Sequence, residues 1–226
     1  SVVSRDSVRI CLLLVALNGI DILCGDIQNA YLTAPNREKI WCWAGPEFGP
    51  DAGKPFIIVR ALYGLKSAGA AFRAFLAEKL DDMGFRPSEA DPDVWMRPAV
   101  KPDGEEYYEY LLVYVDDILA LSMEPQAIMD DIGNQFKFKG NKTAPPETYL
   151  GARIEKKPLN GNNCWTMSSV DYVKAAVAKV VDKLAKENKQ LVLKAVTPMT
   201  SDYAPELDGS PELNADDTQY YQELIG

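Results

Sequence analysis

The chain has 226 residues, with 24 Lys+Arg, 33 Asp+Glu, no histidine and a formal net charge of −9. At 47% hydrophobic residues it can bury the core of one large domain, or one domain with an appendage, and no apolar run reaches the ~18 residues of a membrane span. Without histidine, Ser–His and Cys–His nucleophile pairs, His-based zinc sites and His proton shuttles are excluded, and a carboxylate site holding a hard cation is the simplest catalytic arrangement left.

Ser4 or Asp6 can cap a helix through "SVRICLLLVAL" that stops at Asn18-Gly19. "IDILCGD" then reads as a strand ending at Asp26. Residues 32–62 are irregular, with a short strand "IWCW", a Gly/Pro-rich loop and the strand "FIIVRAL". From Lys66 to Met83 the apolar residues Ala68, Ala71, Phe72, Phe75, Leu76 and Leu80 recur at helical spacing, and Gly84 is a natural stop. "YLLVYVDDILALS" (Tyr110 to Ser122) is two buried-type strands around Asp116 and Asp117. A helix near residues 126–136, a strand "TYLGARIEK", a strand "CWTM" and an amphipathic helix from Ser168 follow. The last thirty or so residues read as linker.

The central elements spell β-α-β-β-α-β, the ferredoxin-like split unit of an α+β fold. Its first two strands run parallel, with the third antiparallel between them. Asp26 and Asp116–Asp117 are therefore expected at one sheet edge, although ninety residues separate them. Asp-Asp is poor chemistry for a tight hairpin turn, which favours Asn-Gly or Asp-Gly. A single Asp at a strand end is ordinarily a solvated turn residue. Three together repel and call for a cation such as Mg²⁺, which takes one or two carboxylates plus substrate phosphates.

Charge is distributed unevenly: +5 over residues 130–200, −7 over 1–129 and −7 over 201–226. A basic segment between acidic flanks is compatible with a local nucleic-acid face, and equally with a solvated lysine-bearing helix. Cys11, Cys24, Cys42 and Cys164 show no C-x-x-C spacing, and with three of them in apolar stretches they read as reduced, buried thiols and not as disulfides or zinc ligands.

"GDIQNAYL" (Gly25 to Leu32), "ALYGLKSAGAAF" (Ala61 to Phe72), "YVDD" (Tyr114 to Asp117) and "YLG" (Tyr149 to Gly151) come in the order and spacing of a reverse transcriptase palm. Together with "TPM…YYQELIG", the chain resembles the reverse transcriptases of copia-type long-terminal-repeat retrotransposons. The resemblance implies the ferredoxin-like palm of a right-hand polymerase. Residues 1–196 would form the domain, with partial fingers at 1–19 and 32–62, a C-terminal helix, and a linker at 197–226 leading toward thumb or RNase H.

The resemblance also implies roles. Asp26, Asp116 and Asp117 would be catalytic and hold two Mg²⁺ (or Mn²⁺) with the Ile27 carbonyl. Tyr31, Tyr63, Gly64 and Lys66 would bind the nucleotide, Tyr31 as a gate against a ribose 2′-hydroxyl. Tyr114 would hold the primer, and Tyr149, Leu150 and Gly151 would form the hairpin that grips its end. Plainer accounts exist: a core aromatic for Tyr31, an exposed helix-start lysine for Lys66, an edge strand for "YLG".

Implied partners are an RNA template, a DNA primer, deoxynucleoside triphosphates and the rest of a Pol polyprotein, with integrase upstream and RNase H downstream. No membrane is implied, and the location would be cytoplasmic, in virus-like particles. Two departures stand out. Gly69 occupies the usual proline position of "LYGLKQAP", and the family's triphosphate-holding basic residues would lie before Ser1, so the chain alone is expected not to polymerise. Rival readings are a decayed or domesticated copy that binds nucleic acid without catalysis, and a palm-fold nucleotide cyclase, which leaves "LYGLK" and "YLG" without a role.

Overall fold

The structure is a computed structural model that describes residues 2–191, 204, 207 and 209–225, with Asn162 described by its backbone alone. It divides into two compact units, Ser1–Met167 and Ser168–Gly226. In chain order the first holds α1 (Arg5–Asn18), β1 (Asp21–Asp26), α2 (Ala30–Thr33), β2 (Trp41–Trp43), β3 (Pro55–Ile57), α3 (Ala68–Asp82), β4 (Arg86–Pro87) and β5 (Val94–Val100). It continues with β6 (Glu106–Tyr114), β7 (Asp117–Ser122), α4 (Pro125–Gly133), β8 (Thr148–Tyr149), β9 (Ala152–Leu159) and β10 (Asn162–Ser168).

Helix α1 starts where the Ser4 hydroxyl accepts from the Ser7 N–H, and ends at Gly19, whose φ of 65° closes a left-handed cap. The main sheet has five strands in the order β1-β7-β6-β5-β4. β7 pairs antiparallel with both β1 and β6, so β1 and β6 are parallel with β7 between them. The central strands are buried on both faces. Leu111, Val113, Ile118 and Ala120 join one core with Phe72, Leu76 and Leu80 of α3 and Ile128, Met129 and Ile132 of α4. The alternate residues Leu112, Leu119 and Leu121 join a second core with Val8, Cys11, Leu12 and Val15 of α1. Period-two alternation thus serves two apolar layers, which is why these strands read as continuous hydrophobic runs.

Two expectations about the sheet need correction. The fourth strand of the split unit, placed at residues 148–155, does not enter the main sheet. Leu150 and Gly151 both have positive φ, 51° and 71°, the pattern of a type I′ hairpin. "TYLGAR" therefore folds back as β8 and β9, with Tyr149 opposite Ala152, in a separate sheet of order β10-β9-β8. The outer edge of β1 instead meets Ala144 through a bridge at Cys24. The strand expected at "FIIVRAL" is also shorter: β3 covers three residues, and Arg60 makes only a bridge to Pro35.

In the second unit, α5 (Val170–Lys186) is the expected amphipathic helix. The stretch read as linker carries a helix, α6 (Ala215–Ile225), where Asp217 pairs with Lys183 and Glu223 lies 3.4 Å from Lys179. The start of that stretch, residues 197–203, lies outside the described residues. Cys11, Cys24, Cys42 and Cys164 are free thiols as expected, but only Cys11 is buried, with its pKa pushed up to about 12, while Cys42 is exposed on the short strand β2. Among the described residues, no helix is long and apolar enough to cross a membrane.

Gly25 shows how closely β1 approaches α4. A Cβ there would lie 2.7 Å from both the Met129 methyl and the Phe138 ring. Gly25→Ala is therefore expected to cost about 1–3 kcal/mol by overpacking, and to lower Tm by roughly 2–10 °C. Thermal unfolding checks this, and an unchanged Tm would mean the core has slack beside Asp26.

Candidate active site

The register of the main sheet sets Asp26, the last residue of β1, directly opposite Asp117, the first residue of β7. Asp116 lies in the turn beside them, and its carbonyl accepts from the Ile27 N–H at 2.8 Å. The three carboxylates therefore share the end of two adjacent strands. The turn itself differs from the expected Asp-Asp. Tyr114 pairs with Asp117, so Val115 and Asp116 are the two turn residues. Val115 takes the positive φ, at 58°. A β-branched residue in that region is strained, and such strain gathers at functional sites.

Burial raises the pKa of the Asp117 carboxyl, and the charges of Asp116 and Asp26 raise it further, while Lys139 opposes them. Lys139 Nζ lies 3.5 Å from Asp26 Oδ2. Its loop is tied to the site by backbone, since the Gln28 N–H donates to the Lys137 carbonyl at 2.8 Å and Ile27 bridges Phe138. Sequence reading missed Lys139 because its approach depends on that non-local bridge. The donor set suits Mg²⁺ in kind: hard carboxylate oxygens, mutually repelling, with a cation already drawn toward one of them. Among the described residues, however, no three His, Cys, Asp or Glu side chains are grouped closely enough to cage an ion by themselves. Mg²⁺ needs no such cage when phosphates complete its shell.

Tyr31 leaves β1 through Asn29, whose φ of 52° turns the chain into the short helix α2. Its ring stacks on that of Tyr63, with centroids 4.8 Å apart and planes at 30°, and tilts against Phe72. Gly64 (φ 94°) makes the turn after Tyr63, and Lys66 is exposed just before α3. A Cβ on Gly69 would sit 3.6 Å from the Tyr31 hydroxyl, an ordinary contact distance, so the position read as a departure adjoins the tyrosine without requiring glycine. Tyr31 is half-buried and rests on aromatic neighbours, so packing is one of its tasks whatever else it does.

Tyr114, Tyr149, Leu150 and Gly151 come together with Asp117 around an open cavity of about 440 Å³. Tyr149 is buried, its hydroxyl donates to the Leu112 carbonyl at 3.3 Å, and burial drives its pKa upward. Arg5 joins this cavity, which no motif signalled. A lone arginine at a helix start carries no pattern in sequence.

An α+β unit whose adjacent strand ends carry Asp26 and Asp117, with Asp116 in the adjoining turn and an open cavity beside Asp117, offers a candidate phosphoryl-transfer site. The family model described as reverse transcriptase (RNA-dependent DNA polymerase) matches residues 1–196, and the chain belongs to that family. It is also 26% identical, over its whole length, to the retrovirus-related Pol polyprotein from transposon RE1 of Arabidopsis thaliana. The chain spans 14% of that relative's length.

The raised Asp117 pKa makes a stability prediction. A carboxyl with a higher pKa folded than unfolded binds its proton more tightly in the folded state, so stability falls as pH rises through the two values. In chelator-containing buffer near neutral pH, Asp117→Asn should stabilise the chain by roughly 0.5 kcal/mol, allowing for solvent screening, or about 1–2 °C in Tm. Below the ordinary carboxylate range, near about pH 3, the gain should vanish because wild-type Asp117 is then protonated. Thermal unfolding at both pH values checks it; a variant destabilised at both would remove like-charge repulsion from the account.

Proposed function

We propose that the chain carries the nucleotidyl-transfer centre of an RNA-directed DNA polymerase, on a palm that keeps the first three strands of the ferredoxin-like unit, β1, β6 and β7. The observation that carries this reading is the register pairing of Asp26 with Asp117, with Asp116 in the adjoining turn. Asp26, Asp116 and Asp117, with the Ile27 carbonyl, would hold two Mg²⁺, or Mn²⁺ in their place. When bound, such a pair lowers the pKa of the primer 3′-hydroxyl and neutralises charge developing on the transferred phosphorus, so histidine is not required.

The chain's own residues do the rest. Tyr31, held by Tyr63 and Phe72, presents a ring edge where a ribose 2′-hydroxyl would collide. Tyr63, Gly64 and Lys66 seat the nucleotide. The cavity of Tyr114, Tyr149, Leu150 and Gly151 takes the primer end beside Asp117, and Arg5 faces its phosphates. Lys139 neutralises Asp26 when no cation is present. Template RNA, DNA primer, deoxynucleotides and the remainder of a Pol polyprotein are the partners of this reading, inside cytoplasmic virus-like particles.

The test uses the complete polyprotein's polymerase. Asp26→Asn or Asp116→Asn should cut primer extension about 10³-fold, the equivalent of ~4 kcal/mol of barrier, with template–primer affinity nearly unchanged. A wild-type enzyme that binds template–primer but never extends it would favour the non-catalytic reading.

Tyr31→Val in the same enzyme should raise the ribo-to-deoxy ratio of kcat/KM by about 10–100-fold. An equal loss for both nucleotides, accompanied by a lower Tm, would leave Tyr31 as packing alone.

A further inference from the structure

Arg5, which lines the cavity beside Asp117, is the first residue of α1 and is exposed. The body of that helix is fixed by Val8, Cys11, Leu12 and Val15 in the second core, and Val3 is buried just before it. None of residues 4–7 enters that core. What holds this first turn is polar, and comes from Asp91 in the loop between β4 and β5, 87 positions along the chain from Ser4. Asp91 Oδ2 accepts from the Ser4 N–H at 3.0 Å and from the Ser7 hydroxyl at 2.6 Å. Its Oδ1 accepts from the Asp93 N–H at 3.1 Å, which ties the same carboxylate to the start of β5. Just past the β5–β6 ladder, the Val113 N–H donates to the Asp93 carbonyl at 2.9 Å, and the Val3 N–H donates to the Val113 carbonyl at 3.2 Å. Partial burial opposes the charged form of Asp91, but the donors from Ser7, Ser4 and Asp93 prevail and hold its pKa below the ordinary carboxylate value.

Starting the helix does not require Asp91. Ser4 Oγ already accepts from the Ser7 N–H at 3.0 Å, which is an N-cap in itself. Asp91 adds a tether between elements. Without it α1 can still begin at Ser4, but its first turn is free to shift against β6 and Tyr114. A guanidinium meets a phosphate through a fixed fork of donors, so that contact depends on where its own backbone is held.

We propose that Asp91 is a positioning residue for nucleic-acid binding: it holds Arg5 at the primer-side cavity, where the guanidinium reaches a phosphate of the bound strand. For the identity of that strand this rests on the polymerase reading, while the tether is read directly from the hydrogen bonds of Asp91.

Equilibrium binding of an RNA–DNA template–primer to the complete polymerase, measured over a range of salt with Tm recorded for each variant, tests it. Arg5→Ala should weaken binding roughly 3–10-fold near 0.1 M salt and lower the slope of log Kd against log salt by about one. Asp91→Ala should do the same, although it removes a negative charge, which by itself would tighten binding to a polyanion. In an Arg5→Ala background, Asp91→Ala should weaken binding no further. Asp91→Asn makes the same charge change but keeps an acceptor oxygen for Ser4 and Ser7, so it should retain most of the wild-type affinity and slope. Should Asp91→Ala fold poorly, Ser7→Ala, which removes one hydrogen bond to Asp91 and leaves that from the Ser4 N–H, should show part of the same loss. Unchanged or tighter binding by Asp91→Ala, or by Ser7→Ala in its place, would overturn the inference and leave the polymerase reading intact. So would Arg5→Ala binding like wild type, or an Asp91→Ala loss that adds in full to that of Arg5→Ala. A wild-type enzyme that binds no template–primer would overturn both.

Discussion

Everything at this site depends on one antiparallel ladder, β1 on β7, that holds two carboxylates opposite each other. Left to electrostatics, Asp26 and Asp117 would separate. They cannot, because Ile22, Leu119 and Leu121 face one core while Ile118 and Ala120 face the other. A one-residue slip would exchange the two faces of β7 and bring each side chain into the wrong layer. Burial of several large aliphatic side chains, each worth ~1.5–3 kcal/mol, outweighs the repulsion of two partly solvated charges. The repulsion remains in the raised Asp117 pKa.

The same ladder organises its surroundings. The end of β1 carries the chain into the Asn29 turn and so sets where Tyr31 begins, while β7 is reached through the strained Val115 turn. The loop after α4 bridges back to Ile27 and brings Lys139 to Asp26. Tyr31 thus follows the end of β1, while Tyr114 and Asp117 at the β6–β7 turn line the cavity of Tyr149, Leu150 and Gly151. The Tyr31 hydroxyl also lies beside Gly69 early in α3, at a distance where a Cβ would make ordinary contact with it.

Much of this was legible in the chain itself. The alternation in "YLLVYVDDILALS", the helical spacing from Ala68 to Leu80 and the Gly19 and Gly84 stops follow from local chemistry, and the observed elements agree with them. The parallel relation of β1 and β6 followed from connection rules. The family was legible too, since four motifs in order carry more information than any one of them.

What sequence alone determined was which residues are acidic, which strands are apolar and in what order they come. The tertiary structure decided the rest. Leu150-Gly151 closes a hairpin, as the family motif implied and the apolar pattern of "TYLGARIEK" did not, because two consecutive positive φ values reverse the chain at once. Val115, and not a second aspartate, takes the strained turn position, since the register opposite β6 is set by side-chain packing. Lys139 reaches Asp26, and Arg73 reaches Asp93, through contacts between residues tens of positions apart. Such contacts leave no periodic trace along the chain, because they arise only after the sheet has closed over its two cores.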